Sequence, residues 1–376
     1  MIVSVSSDST SDKPFETLDV VSKQHPLLRR GAFADSSIND AIEHCVSLAA
    51  PDAPSEKASL AAEMVATALR LLRDDAPTGD IKLILSALKE LRYTARVFAP
   101  YRQVRRVAIF GSARAPENSP VYKQAKEFAR KIAGRGWMVI TGGGPGVMAA
   151  GNEGAGARAS FGLRIRLPSE PGANKTILGD PKLVNYKYFF SRKVAFVKES
   201  HAFVLLPGGF GTLDETFELL TLMQTGRSDP HPVVLLEPTE DTYWNGWRTF
   251  LEQHVLSRGY IDKSDLELMD VTEDVDRAVE IIERFYSVYH SQRFVDGRLV
   301  LRLRRLIPEE YLEYLTEKYS PIITEGRIEA VPPYPEEIED NDEVDLPRIA
   351  LWFDRRSFSQ LRRLIDDING APLLDE

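Results

Sequence analysis

The sequence predicts an α/β fold: a Rossmann-like parallel sheet with helices on both faces, preceded by a helical N-terminal region and followed by a small α+β module. Three observations point there. Between about residues 104 and 290, short β-branched runs alternate with stretches of helical period, as strands joined by crossover helices do. Before that span the apolar spacing is helical throughout. After it, strand-like and helix-like segments mix over about 86 residues.

Taken in order, residues 1–36 are a polar tail rich in Ser, Thr and Asp without usable periodicity. Residues 37–100 form a helical subdomain. Leu60, Met64, Val65, Ala68, Leu69 and Leu72, then Ile81, Ile84, Leu85, Leu88 and Leu91, place apolar side chains on one face of each of two amphipathic helices. Pro77, Thr78 and Gly79 mark the turn between them, and the apolar faces are expected to pack inward. Residues 101–290 carry the strands Val107 to Phe110, Met138 to Thr141, Gly162 to Leu167, Ala202 to Leu206 and Val233 to Leu236. In a sheet of this kind ligands sit at the carboxyl ends of the strands. Residues 291–376 read as a hairpin closed by Asp296-Gly297, a helix from Pro308, strands at Ile322 to Val331 and Ile349 to Phe353, and a helix from Phe358. That order suggests a ferredoxin-like module. The acidic run from Glu336 to Asp345 reads as a solvated loop, because its spacing does not match an EF-hand.

Composition excludes several classes. With 43% hydrophobic and 27% charged residues the 376-residue chain has the makings of ordinary globular cores. A net charge of -9 argues against nucleic-acid binding by general attraction, so any anion must be held locally. The lone Cys45 forms no internal disulfide, the six histidines are scattered, and neither a metal nor a cofactor is expected. No apolar stretch approaches the roughly 20 residues of a membrane span. The chain opens without a basic-then-apolar leader, and the expectation is a cytoplasmic protein.

Chemistry concentrates in three turns. The first, Gly111-Ser112-Ala113-Arg114, follows the strand ending at Phe110. The second runs from Gly142 to Met148 with Gly143, Gly144 and Gly146. The third is Pro207-Gly208-Gly209-Phe210-Gly211-Thr212, leading into a helix expected to start at Leu213. Glycines at such turns let backbone N–H groups approach an anion, and the following helix adds its positive end. A phosphate is the natural guest. Gly144, Gly146 and Ala149 also satisfy G-x-G-x-x-A, with Glu170 as a ribose ligand, which keeps an oxidoreductase among the alternatives. Tight turns that need glycine for geometry explain one such loop more readily than two. From Arg158 to Lys198, nine basic residues face two acidic ones, which would steer an anionic substrate.

Gly142-Gly143-Gly144-Pro145-Gly146-Val147-Met148, Ser191-Arg192-Lys193 and Pro207-Gly208-Gly209-Phe210-Gly211-Thr212-Leu213-Asp214-Glu215 resemble the LOG (Lonely Guy) family of cytokinin riboside 5'-monophosphate phosphoribohydrolases and nucleotide nucleosidases. The resemblance covers about residues 104–290. It implies cleavage of the N-glycosidic bond of a nucleoside 5'-monophosphate, AMP-like or a cytokinin riboside monophosphate, to free base and ribose 5-phosphate. By the same resemblance Arg192 and Glu215 are the catalytic pair. Gly111, Ser112, Gly143, Gly144, Gly146, Lys193, Gly208, Gly209, Gly211 and Thr212 are the candidate contacts to phosphate and ribose, and the protein is expected to be a homodimer or higher homo-oligomer. Many relatives were labelled lysine decarboxylases, yet no Ser-x-His-Lys signature for a pyridoxal phosphate lysine is present.

Elementary chemistry supports the pair. Breaking a ribose-to-base bond passes through an oxocarbenium-like state that a carboxylate stabilises while activating water. A guanidinium beside it holds a phosphate or ribose oxygen. Two alternatives stay open: Thr212-x-x-Glu215 also fits a helix capping box, and the whole could be a nucleotide-sensing protein that binds without hydrolysis.

Overall fold

The computed structural model describes residues 27, 28, 33–166 and 172–373; Glu170 lies outside the described residues. The chain divides into two compact units, Met1–Ser86 and Ala87–Glu376. In the first, α1 (Ser36–Ala49) and α2 (Ser55–Arg73) are followed by α3 (Thr78–Phe98), which continues into the second. Three helices replace the expected two. The extra one starts where the Asp35 carboxylate accepts from Ser37 N at 2.9 Å.

The inward face of α2 also differs from expectation. Ala58, Ala62 and Ala66 pack with Ile42 and Val46 of α1, whereas Leu60, Met64, Val65, Leu69 and Leu72 are exposed. Alanines four apart form a small-residue ridge that lets another helix approach closely. Hydrophobic size alone chose the wrong face.

The second unit is built around a seven-stranded parallel sheet. Its elements run β1 (Arg106–Phe110), α4 (Pro120–Gly134), β2 (Met138–Thr141), α5 (Val147–Ala155), β3 (Ser160–Ile165), β4 (Leu183–Tyr186), α6 (Phe189–Glu199), β5 (Ala202–Leu205), α7 (Phe210–Gln224), β6 (Val233–Leu236), α8 (Tyr243–Phe250), β7 (Asp270–Thr272) and α9 (Val275–Phe285). The strand order is β4-β3-β2-β1-β5-β6-β7. Both faces are covered, which is why the strands read as continuous apolar runs rather than alternating ones. Val107, Ile109, Val139 and Val204 enter the core on one face, and Ala108, Ile140, Phe203 and Leu205 the core on the other. The order reverses at β1, which pairs with β2 on one side and β5 on the other. That switch point opens a crevice at the carboxyl ends, where the glycine turns lie.

The chain continues through β8 (Tyr289–Val295), β9 (Arg298–Leu303), α10 (Glu309–Lys318), β10 (Ile323–Ala330), α11 (Pro335–Glu339), β11 (Arg348–Phe353) and α12 (Phe358–Asn369). These strands form an antiparallel sheet of order β10-β11-β9-β8, a small α+β arrangement but not a ferredoxin-like one. Asp296 and Gly297 both take positive φ, 47° and 85°, and close a two-residue hairpin, so β8 and β9 pair directly instead of being split by a helix. The core does not pause near residue 290. Leu299, Leu301 and Leu351 of this sheet share one cluster with Ile282 and Phe285 of α9 and with Leu361, Leu364 and Ile365 of α12.

The acidic run is solvated only in part: Glu336, Glu339, Asp340, Glu343 and Asp345 are exposed, but Glu337 and Asp342 turn to arginines of the sheet. Glu337 is fully buried, accepts from Arg302 Nη2 at 2.8 Å and is ion-paired with Arg348 Nη1 at 2.7 Å, while Asp342 takes Arg302 at 2.6 Å. The run supplies the counter-charges for arginines of β9 and β11. Among the described residues, no helix is long and apolar enough to cross a membrane.

Candidate active site

The three glycine turns are stitched together by backbone hydrogen bonds. Ser112 N donates to Pro207 O at 3.1 Å, joining the first turn to the third, and Val147 N donates to Ser112 O at 3.0 Å, joining it to the second. Gly146 takes φ 63°, and a Cβ there would collide with the Ser112 carbonyl. Only glycine permits that approach. At Gly208 a Cβ would strike the Thr212 hydroxyl, and at Gly111 it would sit 2.8 Å from the Val147 methyls.

The second turn rests on a buried polar network. Gly143 N donates to Thr141 Oγ1 at 3.0 Å, Thr141 Oγ1 donates to Asn152 Oδ1 at 2.8 Å, and Asn174 Nδ2 donates to Asn152 Oδ1 at 2.9 Å and Gly144 O at 3.1 Å. Buried polar groups that satisfy one another hold a single geometry. Gly146 then caps α5, aiming its N-terminus into the crevice. The third turn is anchored by α8: Tyr243 Oη donates to Gly208 O at 2.7 Å and Trp244 Nε1 to Leu205 O at 3.0 Å.

Helix α7 starts at Phe210 with Gly209 as its cap, earlier than the sequence suggests, so Gly211 and Thr212 are its first-turn residues. This removes the capping-box explanation for Glu215. Thr212 is not the cap, and Glu215 lies in the second turn with its carboxyl 7% exposed. The partner comes from α6, where Arg192 Nη2 stands 3.6 Å from Glu215 Oε1. Arg192 is packed between Phe189, 5.1 Å from its guanidinium carbon, and Phe196, 5.7 Å away. A Cβ on Gly142 would be 3.9 Å from Arg192 Nη1, which places the guanidinium beside the second turn as well.

Among the described residues no hydrogen bond reaches the Glu215 carboxyl. Burial dominates and pushes it up to about 7, against the opposing pull of Arg192 and Lys193. Such a group changes protonation near neutral pH, as an acid–base catalyst requires. Lys193 is placed differently from its neighbour. Its ammonium is bound by Asp214 at 2.9 Å and Glu218 at 2.8 Å. Burial pulls the ammonium down, but hydrogen bonds to these carboxylates hold it above its ordinary value. The basic stretch is partly neutralised elsewhere too, by Lys182–Asp180 and Lys198–Glu199.

Gly143, Gly144, Gly146, Gly111, Ser112, Gly208, Arg192 and Glu215 are thus brought to one end of the sheet, while Lys193 faces the carboxylates of α7. Gly209 and Gly211 have open space where a side chain would be. Sequence reasoning passed over Asn152, Asn174, Tyr243 and Glu90. The Glu90 carboxylate accepts from Lys187 N at 2.7 Å and from the Ser191 hydroxyl, which fixes the start of the helix bearing Arg192. Of these, only Asn152, five residues into the helix after the second turn, carried a signal: a buried amide on an otherwise apolar face. Among the described residues no three His, Cys, Asp or Glu side chains gather into a metal-ligand group.

Residues 144–282 match the family described as "Possible lysine decarboxylase". A cytokinin riboside 5'-monophosphate phosphoribohydrolase of Mycobacterium tuberculosis is 31% identical over 182 residues, covering 46% of this chain and 90% of the relative. The chain belongs to the LOG family. A probable cytokinin riboside 5'-monophosphate phosphoribohydrolase of Oryza sativa subsp. japonica is 29% identical over 179 residues, 46% of this chain and 82% of its own length. Among solved structures, the molybdenum cofactor carrier protein of Chlamydomonas reinhardtii is 22% identical, covers 48% of this chain and 97% of its own, and has a TM-score of 0.34. The family match falls within the parallel-sheet region, and α10 to α12 lie beyond the residues it spans.

Proposed function

We propose that the protein hydrolyses the N-glycosidic bond of a nucleoside 5'-monophosphate, giving free base and ribose 5-phosphate. The observation that carries this reading is the Glu215 carboxyl, buried without a hydrogen bond among the described residues and set 3.6 Å from the Arg192 guanidinium. The phosphate is held by the backbone N–H groups of the three turns and the N-terminus of α5. Arg192 binds a ribose or phosphate oxygen in its fork. Glu215, ionised, stabilises the oxocarbenium-like state and takes a proton from the attacking water. The open space at Gly209 and Gly211 is where a bound group needs room.

The same reading includes a second copy of the chain. Phe189, Phe190 and Val194 on α6, and Phe217 on α7, are exposed next to the pair, and an apolar patch beside a site that must exclude water suits a symmetric partner. Light scattering should show a dimer or higher species. The activity is tested by incubating the protein with a panel of nucleoside 5'-monophosphates, including AMP and an N6-prenylated AMP, and detecting base and ribose 5-phosphate. Release of neither from any member, with nucleotide nonetheless bound, would replace hydrolysis by sensing.

A further inference from the structure

At the opposite end of the parallel sheet, the amino ends of β1, β5 and β6 form a cavity of about 690 Å³ closed by the C-terminal sheet. Arg105, which precedes β1, His201, which precedes β5, and His231, which precedes β6, line one side; Tyr286, Tyr289 and His290 line the other. A neighbouring cavity of about 660 Å³ shares Arg105, His201 and His290 and adds Arg102, Arg135 and Arg304. Each volume falls in the range of small-molecule sites.

The arginines there are not held in ion pairs. Arg105 lies 3.5 Å over the Tyr286 ring and donates to His290 O at 3.4 Å. Arg304 donates through Nε to Tyr286 O at 2.9 Å. Among the described residues neither these two nor Arg102 has an ion pair, and Arg135 has only Glu283 at 3.8 Å. Of the carboxylates at the rim, Asp342 is paired with Arg302 and Arg293 and Glu218 with Lys193; among the described residues Asp229, which accepts from Gln292, and Glu343 have no ion pair. Two further groups face the first cavity unsatisfied. Ser200 Oγ and His231 Nδ1 are buried without a hydrogen-bond partner among the described residues. Converging guanidinium groups that lack ion pairs, together with orphaned polar atoms, are costly unless a ligand completes them.

We propose that this cleft is a second ligand site, which takes a small oligoanion of the phosphate class between the amino ends of the parallel strands and the C-terminal sheet. Several planar forks arriving from different elements match a multi-oxygen anion better than a single carboxylate. The concave walls suit a small molecule rather than a polymer. The proposal does not rest on the hydrolytic reading: Lys193 lines the edge of this cavity but is bound by Asp214 and Glu218, and the arginines that carry the proposal are not part of the glycine-turn site.

Isothermal titration of the full chain with inorganic pyrophosphate tests it. Pyrophosphate binding is expected in the unaltered protein and, undiminished at this cleft, in Arg192→Ala, which removes the side-chain anion contact at the other end. Arg105→Gln should weaken binding at least tenfold. Should that variant fail to fold, the double substitution Arg102→Ala with Arg135→Ala, at an exposed residue and a largely exposed side chain, should do the same. Absence of pyrophosphate binding would overturn the proposal. So would binding lost in Arg192→Ala but kept in the double variant, or a single-stranded oligonucleotide binding more tightly than pyrophosphate.

Discussion

At the carboxyl ends of the parallel strands, Glu215 faces Arg192 across 3.6 Å. Beside the C-terminal sheet, Glu337 of α11 is gripped by Arg302 at 2.8 Å and Arg348 at 2.7 Å and also accepts from Tyr334 N at 3.1 Å. Both glutamates are buried, yet their acidities move in opposite directions. For Glu337 burial alone would raise the carboxyl, but the Tyr334 N–H and the two guanidinium groups overcome it and hold it below the usual range. For Glu215 burial wins. A carboxylate whose lone pairs are all taken is a structural element. One left short of donors has capacity for a substrate, and the protein carries it at the expense of stability.

The comparison breaks most sharply on substitution. Glu337→Gln leaves Arg302 and Arg348 short of their buried counter-charge, and should destabilise the protein by about 3–5 kcal/mol, read as a lower urea midpoint. Turnover of the protein that remains folded should change little. Equal stability would mean that Asp342 and the backbone suffice for those arginines.

Glu215→Gln should do the reverse. Turnover is expected to fall at least roughly a hundredfold, the low end for losing acid–base help. Full activity in a folded Gln variant would move the chemistry to another group, with Asp214 next in line.

Titration sharpens the contrast further. Because the Glu215 carboxyl is raised from 4.5 to about 7, the native state binds more protons than the unfolded chain between those values. Its contribution therefore weakens the fold as pH rises from about 4.5 to 7 and is constant above. Glu215→Gln should accordingly gain on the unaltered protein by up to roughly 3 kcal/mol at pH 8, and the gap should close by about pH 4.5. For Glu337 the lowered carboxyl gives stability present above the ordinary glutamate range and lost on acidification. In activity, kcat/KM should rise with pH through an apparent value near 7 as Glu215 ionises. A flat profile across that region would separate Glu215 from proton transfer.

The smallest effect is expected at the anchor of the third turn. Tyr243→Phe deletes the hydrogen bond to Gly208 O, and should cost about 1 kcal/mol in denaturation. A several-fold rise in KM with kcat nearly unchanged would place Tyr243 as a positioning residue for the turn.

The parallel sheet was legible because fully buried strands and glycine turns are local signals. β1, β2, β5 and β6 fall within a residue of where β-branched runs place them. The hairpin at Asp296-Gly297 was legible for the same reason. The acidic run was misread in part, since a row of carboxylates looks solvated until Arg302 and Arg348 are known to lie beneath Glu337. The buried face of α2 was misread because Ala58, Ala62 and Ala66 outweigh larger leucines only when a partner helix comes close.

By itself the sequence determined the succession of strands and helices, the turns that require glycine and the presence of an Arg and a Glu on consecutive helices, all of which depend on residues near one another in the chain. Tertiary structure alone decided that Arg192 and Glu215 meet, that α7 begins at Phe210 so Glu215 is not a cap residue, and that Glu337 is hydrogen-bonded by its arginine partner while Glu215 is not. The physical reason is that a carboxylate's acidity is set by the donors and solvent around it, and those are assembled by folding from distant parts of the chain.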